Sequence, residues 1–267
     1  MPTVSENKHM WDGDYLWSER GDEWSLPWGT VPMQWYTTIM PRIHNALPAA
    51  RILEIACGYG RWTQYLKDQC DRLIVVDLSA ECIEACKRRF ANSKSIEYHV
   101  TDGKSLSMVP DRSIDFIFSF DSLVHADRSV LRAYIEQFGR VLSPAGTAFI
   151  HHSNLGEYRT KYRLVRAVPK LEGLLRKLGA CEFHHWRDAE VTAPFIARLA
   201  ESNGLTCIVQ EMVNWRTRHE LIDCISTIVR QDATHGRTPN MFRNDRFMDE
   251  VDNAKRLAQH YSASLAK

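Results

Sequence analysis

From residue 51 onward, short apolar runs alternate with stretches of helical spacing. That alternation restricts the chain to a largely parallel sheet covered by helices on both faces. Residues 51–57 (RILEIAC) read as a first strand, 60–70 as a helix and 72–77 (RLIVVD) as a second strand. Ser79 is placed to cap the next helix, along which Cys82, Ile83, Cys86 and Phe90 recur at helical spacing. Residues 96–102 (IEYHVTD) and 114–120 (IDFIFSF) return as third and fourth strands. A helix over 129–142 stops at the breaker Ser143-Pro144-Ala145-Gly146, and 146–153 (GTAFIHHS) reads as a fifth strand. A helix over 193–203 closed by Gly204, then strands over 205–215 and 221–230, bring the expected sheet to seven strands, with one more helix in the final polar stretch.

Two segments stand outside this repeat. Residues 1–50 hold Trp11, Trp17, Trp24, Trp28 and Trp35, five of the chain's eight tryptophans. They fit helices packed over one end of the sheet, or an amphipathic lid whose aromatic faces stack on a ligand, and the two readings are compatible. Between 155 and 188, Leu164, Val168, Leu171, Leu175 and Leu178 keep helical spacing among Arg159, Lys161, Arg163, Arg166, Lys170, Arg176 and Lys177, so a helical insertion is expected, split or kinked at Pro169. Those basic residues read first as a solvated helix face and second as a phosphate site. The chain therefore divides into an N-terminal helical, aromatic lid (1–50) and a sheet domain (51–267) carrying the insertion.

Composition narrows the function classes. The 34 basic and 33 acidic residues nearly cancel, so no global field draws the chain to nucleic acid or to a membrane. No run of about 20 apolar residues is present, and the N-terminus lacks a basic-then-apolar leader, which points to a cytoplasmic protein. Seven cysteines without a Cys-x-x-Cys pair suit reduced thiols, with Cys82 and Cys86 as small apolar residues on a helix face.

A glycine-bearing turn directly after a first strand lets a ligand approach the backbone beside a helix N-terminus. Here that turn is Glu54-Ile55-Ala56-Cys57-Gly58-Tyr59-Gly60. Alone it would serve several cofactors. Asp77 ends the second strand, where a carboxylate accepts from both hydroxyls of a ribose, and Asp102-Gly103 follows the third, where an adenine would lie. A nicotinamide site is disfavoured because G-x-G-x-x-G is missing.

In motif order over roughly residues 50–155, this pattern resembles the class I S-adenosylmethionine-dependent methyltransferases. The resemblance implies a Rossmann-like α/β fold and S-adenosyl-L-methionine as cofactor. It also implies Glu54, Gly58 and Gly60 at its methionine part, Asp77 at the ribose, Asp102 at the adenine amine with Gly103 allowing the turn, and the Phe120 backbone flanking it. Ala56 departs from the pattern, standing where such sequences commonly have the first glycine.

Methyl transfer from a sulfonium is an in-line displacement, so alignment and water exclusion come first and removal of the acceptor's proton second. Candidates for that proton follow the fourth and fifth strands: Asp121, His125 and Asp127, then His151, His152, Ser153 and Asn154. His125 fits a loop histidine as well as a base. His151 and His152 point to opposite faces of a continuing strand, so at most one serves the acceptor. Asp121, His125 and His152 are the expected catalytic set.

The passages SFDSLVH (119–125), FIHHSNL (149–155), GRWT (60–63) and DEWS (22–25) resemble those of bacterial sugar O-methyltransferases, with the mannoside O-methyltransferases of mycobacterial methylmannose polysaccharide synthesis as one specific case. That likeness implies a carbohydrate hydroxyl as acceptor and a role in polysaccharide biosynthesis. The early tryptophans suit the apolar C–H faces of a pyranose. A magnesium ion held by Asp121, His152 and Glu211 would lower the acceptor's pKa, and metal-free transfer stands beside that reading. Transfer to a natural-product small molecule and a non-catalytic S-adenosylmethionine-binding module are the alternatives. No nucleic-acid or membrane partner is expected, and a homodimer is compatible with the sequence.

Overall fold

The computed structural model describes residues 3–168, 170–178, 181, 186–215, 217–233 and 238–265. Strands β1 (Ala49–Ile55), β2 (Cys70–Asp77), β3 (Ile96–Val100), β4 (Ile114–Ser119), β5 (Leu142–Ser153), β6 (Leu205–Val213), β7 (Asp223–Arg230) and β8 (Asn240–Asn244) form one sheet in the order β3-β2-β1-β4-β5-β7-β6-β8. β7 runs antiparallel to both β5 and β6, and the other pairs are parallel. This is the Rossmann-like arrangement expected, with eight strands rather than seven. The extra strand is β8, short, polar and exposed at the sheet edge, so its five residues carry no apolar alternation by which to recognise it.

Helices α1 (Val4–His9), α2 (Val31–Gln34) and α3 (Met40–Ile43) precede the sheet, and α4 (Thr63–Leu66), α5 (Ala80–Arg89) and α6 (Arg128–Val141) alternate with its strands. α7 (Arg159–Ala167) and α8 (Leu171–Lys177) form the insertion, α9 (Ala193–Glu201) precedes β6 and α10 (Phe247–Leu265) closes the chain. Local chemistry sets the helix starts. Ser79 accepts the Cys82 N–H, Asp127 accepts from Ser129 and Val130, and Thr192 accepts from Phe195. Gly204, at φ +71°, follows α9. The breaker at 143–146 does not delay β5, which starts at Leu142 and absorbs those residues through a register irregularity against β4. The split anticipated at Pro169 lies outside the described residues.

Alternation along the buried strands divides the core. Leu53, Ile55, Ile117 and Ile150 face α6 and α9 through Ile135, Phe138 and Ile196. Ile52, Phe116, Phe118 and Phe149 face the opposite layer, where Trp28, Trp35, Trp62, Ile83 and Phe247 pack. Two of the five early tryptophans are thus core residues. Trp35 lies 4.7 Å from the Tyr65 ring and nearly parallel to it, and Trp28 donates to Thr38 Oγ1 at 2.7 Å. Among the described residues no helix is long and apolar enough to cross a membrane. All seven cysteines are free, and Cys82 and Cys86 are buried on α5.

Candidate functional site

The strand order reverses between β1 and β4, and in open α/β sheets ligands bind outside the carboxyl ends of the strands at that point. A cleft lies there, enclosing about 1050 Å³ including its open mouth. The β1 turn forms its floor. Ala56 adopts φ +60°, so the alanine at the expected glycine position holds a left-handed backbone that costs a side-chain-bearing residue about 1–2 kcal/mol. Gly58 and Gly60 are also left-handed, and a Cβ on Gly60 would lie 2.5 Å from the Phe90 ring. A Cβ on Gly58 would meet Trp17 at 3.1 Å. The turn is therefore pressed between α5 below and an aromatic cover above.

Asp77, at the end of β2, is 6% exposed and lines the cleft. Its Oδ2 accepts the Gly58 N–H at 3.0 Å and its Oδ1 the Ser79 N–H at 2.9 Å. These bonds fix the carboxylate and leave each oxygen a second lone pair for a ribose hydroxyl. Burial pushes its pKa up to about 6, against the pull of the two N–H donors. Gly103 lines the same wall. Asp102 is exposed and turned toward its own loop, accepting from the Lys104 and Ser105 N–H groups.

Glu54 does not reach the cleft wall. It is buried behind the turn, with Oε2 accepting from Thr63 Oγ1 at 2.6 Å, Oε1 without a hydrogen-bond partner, and its pKa pushed up by burial to about 8. Gly60 and Phe120 also sit behind the wall, and the Phe120 carbonyl accepts from Trp62 Nε1 at 3.1 Å. Of the seven expected cofactor residues, Gly58, Asp77 and Gly103 line the cleft.

The N-terminal segment supplies the opposite wall. Val4, Asn7, Trp11, Trp17 and Trp24 line the cleft, and Trp17 stacks on Tyr59 at 4.3 Å and 11°. Trp11 lies 6.3 Å from the His125 ring and 6.1 Å from Trp186. The early tryptophans thus divide between cleft wall and core.

Past β4, Asp121, Ser122, Leu123 and His125 line the cleft. His125 Nδ1 lies 3.3 Å from the Trp186 carbonyl. A carbonyl only accepts, so Nδ1 carries the proton and Nε2 holds the basic lone pair. Desolvation, aided by Arg187, lowers its pKa to about 4, so the ring is neutral at physiological pH. Asp121 is left-handed at φ +62° and pairs with Arg61 at 2.8 Å. Arg61 is 7% exposed, lines the cleft, stacks on Trp62 at 4.5 Å and leaves a buried Nη1 without a hydrogen-bond partner.

His152 is turned away from this cleft. Phe149 and His151 share one face of β5, while Ile150 and His152 share the other. His151 Nδ1 accepts the Asp121 N–H at 3.2 Å and its Nε2 lies 3.4 Å from Asp223, whereas His152 Nε2 meets Ser226 Oγ at 2.8 Å and Nδ1 meets the Ser153 carbonyl at 2.8 Å. The strand period thus gave the opposition of the two histidines, and the residue beside Asp121 is His151. Nor are the three expected metal ligands gathered. Asp121 is held by Arg61, His152 by Ser226, and Glu211 by a bidentate pair with Arg42 at 2.6 Å and by Asn244. Among the described residues no group of three His, Cys, Asp or Glu side chains is arranged to hold a metal ion. Arg61 and Trp186 are neighbours of the expected site residues that sequence reasoning did not assign, and His151, weighed there only as one of several strand-end candidates, is the histidine bonded to the Asp121 N–H. The GRWT passage held Arg61 in view, but only the β1–β4 adjacency gives it Asp121 as partner.

Residues 52–146 match the family described as a methyltransferase domain. A ubiquinone biosynthesis O-methyltransferase of Xanthomonas campestris pv. campestris is 26% identical over 144 residues, covering 54% of this chain and 57% of that one. Phosphoethanolamine N-methyltransferase 1 of Arabidopsis thaliana is 32% identical over 108 residues, 40% of this chain and 21% of its own. The chain therefore spans little more than half the length of the first of these relatives. Among solved structures, the N-methyltransferase NodS from Bradyrhizobium japonicum superposes with a TM-score of 0.51 at 16% identity, covering 75% of this chain and 96% of that one. The PH0226 protein of Pyrococcus horikoshii OT3 gives 0.51 at 20%, covering 74% and 88%. These two share the fold.

Proposed function

We propose that the chain, whose residues 52–146 match a methyltransferase domain, is a class I methyltransferase that transfers a methyl group from S-adenosylmethionine to a small-molecule acceptor, and that this acceptor is a hydroxyl of a sugar or oligosaccharide. One observation carries the reading: the His125 ring lines the same cleft as Gly58, Asp77 and Gly103, neutral at physiological pH, with Nδ1 tied to a carbonyl and the Nε2 lone pair unprotonated.

S-adenosylmethionine, when bound, supplies an electrophilic methyl group. Asp77 holds the ribose hydroxyls, and the Gly58 and Gly60 turn lets the backbone come close. Trp17 closes over the turn and excludes water. His125 Nε2 takes the hydroxyl proton as the acceptor oxygen becomes nucleophilic. Arg61 and Asp121 fix the wall between these groups. Trp11 and Trp24 present flat apolar faces that suit the C–H faces of a pyranose.

The same aromatic wall supports a second reading, an amine acceptor, because cations and neutral amines also seat against tryptophan faces. A neutral amine needs no base before displacement. A radiolabelled-methyl assay against oligosaccharide pools, phenols and amines separates the two. Transfer to the oligosaccharides that collapses in His125→Ala is the expected result. Transfer confined to amines and insensitive to His125 would overturn the sugar assignment.

A further inference from the structure

Helices α7 and α8 carry a surface that the methyl-transfer cleft does not use. On α7, Tyr162 and Val165 are buried and Leu164 is 62% exposed, while Val168, 51% exposed, follows the helix in extended backbone. On α8, Leu174 is 54% exposed, and Leu178, 70% exposed, follows the helix with its N–H bonded to the Leu174 carbonyl. Leu174 and Leu178, spaced i, i+4, share one outward side of α8 and its C-terminal end, and α7 adds Leu164 and, just past its end, Val168. Arg163, Lys170 and Lys177 are exposed among these side chains. Residues 159–178 hold seven Lys or Arg and one acidic residue, whereas the remainder of the chain is net acidic.

Outward leucines surrounded by cations have a specific physical match. Apolar side chains enter the boundary of the acyl chains while Lys and Arg reach the phosphate level of anionic headgroups. A solvated helix face would not need the leucines. A nucleic acid would use the cations and leave the leucines in water. A second copy would bring like charges together. We propose that α7 and α8 dock the protein on the surface of an anionic lipid bilayer. The proposal is independent of which acceptor the cleft takes, since none of these side chains lines it.

The test is co-sedimentation with vesicles of phosphatidylcholine alone and of phosphatidylcholine with roughly one-third phosphatidylglycerol. The protein should bind the anionic vesicles on the order of tenfold more tightly, and salt should weaken that binding. Leu174→Ser with Leu178→Ser, and separately Lys170→Glu with Lys177→Glu, should each lower binding by on the order of tenfold at unchanged circular dichroism and melting temperature. If the leucine variant misfolds, the charge-reversed variant still reports on the same face. Equal affinity for the two vesicle types, binding that survives the charge reversal, or retention on RNA without retention on vesicles would each overturn the proposal.

Discussion

Arg61 and Asp121 meet across the switch point of the sheet at 2.8 Å, one from the turn after β1 and the other from the residues after β4, with side-chain exposures of only 9% and 14%. Asp121 is left-handed, and its carboxylate and N–H are both engaged, by Arg61 and by His151. The pair therefore ties the β1 side of the cleft to the β4 side. Arg61→Ala leaves a largely buried carboxylate unpaired, and removing one partner of a buried pair costs about 3–5 kcal/mol. Because both side chains keep some solvent contact, about 2–3 kcal/mol is expected in urea unfolding. An Arg61→Ala protein as stable as the parent would show that the pair does not hold the wall.

Trp17 and Trp35 belong to the same aromatic N-terminal segment but should fail in different ways. Trp17 covers the Gly58 turn and stacks on Tyr59, so Trp17→Ala should weaken S-adenosylmethionine binding on the order of tenfold while leaving the fold intact. Trp35 is 1% exposed in the core, so Trp35→Ala should cost about 3–5 kcal/mol of stability. Titration calorimetry together with thermal melts distinguishes lid from core, and a Trp17→Ala variant with unchanged affinity would remove the lid role.

His125 and His152 should separate in the same manner. His125→Ala is expected to lower kcat by on the order of 100-fold or more with KM little altered. His152→Ala removes a buried partner of Ser226 and should cost about 1–3 kcal/mol of stability while kcat at a permissive temperature stays near the parent value. A kcat loss confined to His152→Ala would reverse the assignment.

The two buried carboxyls near the β1 turn predict opposite kinds of pH dependence. Asp77, with a pKa of about 6, accepts from both ribose hydroxyls at once only when ionised, so cofactor affinity should be flat above pH 7 and fall by up to about tenfold per unit below pH 6. Glu54, at about 8, keeps its proton in the folded state over a window where the unfolded chain has released it. Stability from that proton is complete below the ordinary carboxyl range and is lost as pH rises toward 8. Relative to Glu54→Gln, the parent should lose up to about 1.4 kcal/mol per pH unit between pH 6 and 8. Parallel melting profiles for the two proteins would show Glu54 to be ionised throughout.

The sequence by itself determined the architecture and that Gly58, Asp77 and Gly103 end or follow strands meeting at one sheet edge. Strand segments such as 73–77 are buried on both sides, and continuous apolar runs punctuated by caps can be satisfied only in a covered parallel sheet. Ser79 was legible for a local reason, since a cap acts on neighbours within a few residues, and Asp77 was legible from its place at a strand end, although its bond to Gly58 spans 19 residues. Ala56 was legible as irregular, though not as left-handed. Tertiary structure alone decided the acceptor side. Period 2 put His151 and His152 on opposite faces, but which face meets Asp121 depends on β4 lying beside β5 and on the left-handed turn after β4. It likewise decided that Glu211 faces Arg42, 169 residues away in the chain, instead of joining Asp121, and that Trp17 covers a turn while Trp35 fills a core. Patterns of burial are written in nearest neighbours along the chain, whereas the partners of a charge are chosen by residues the fold brings from far away.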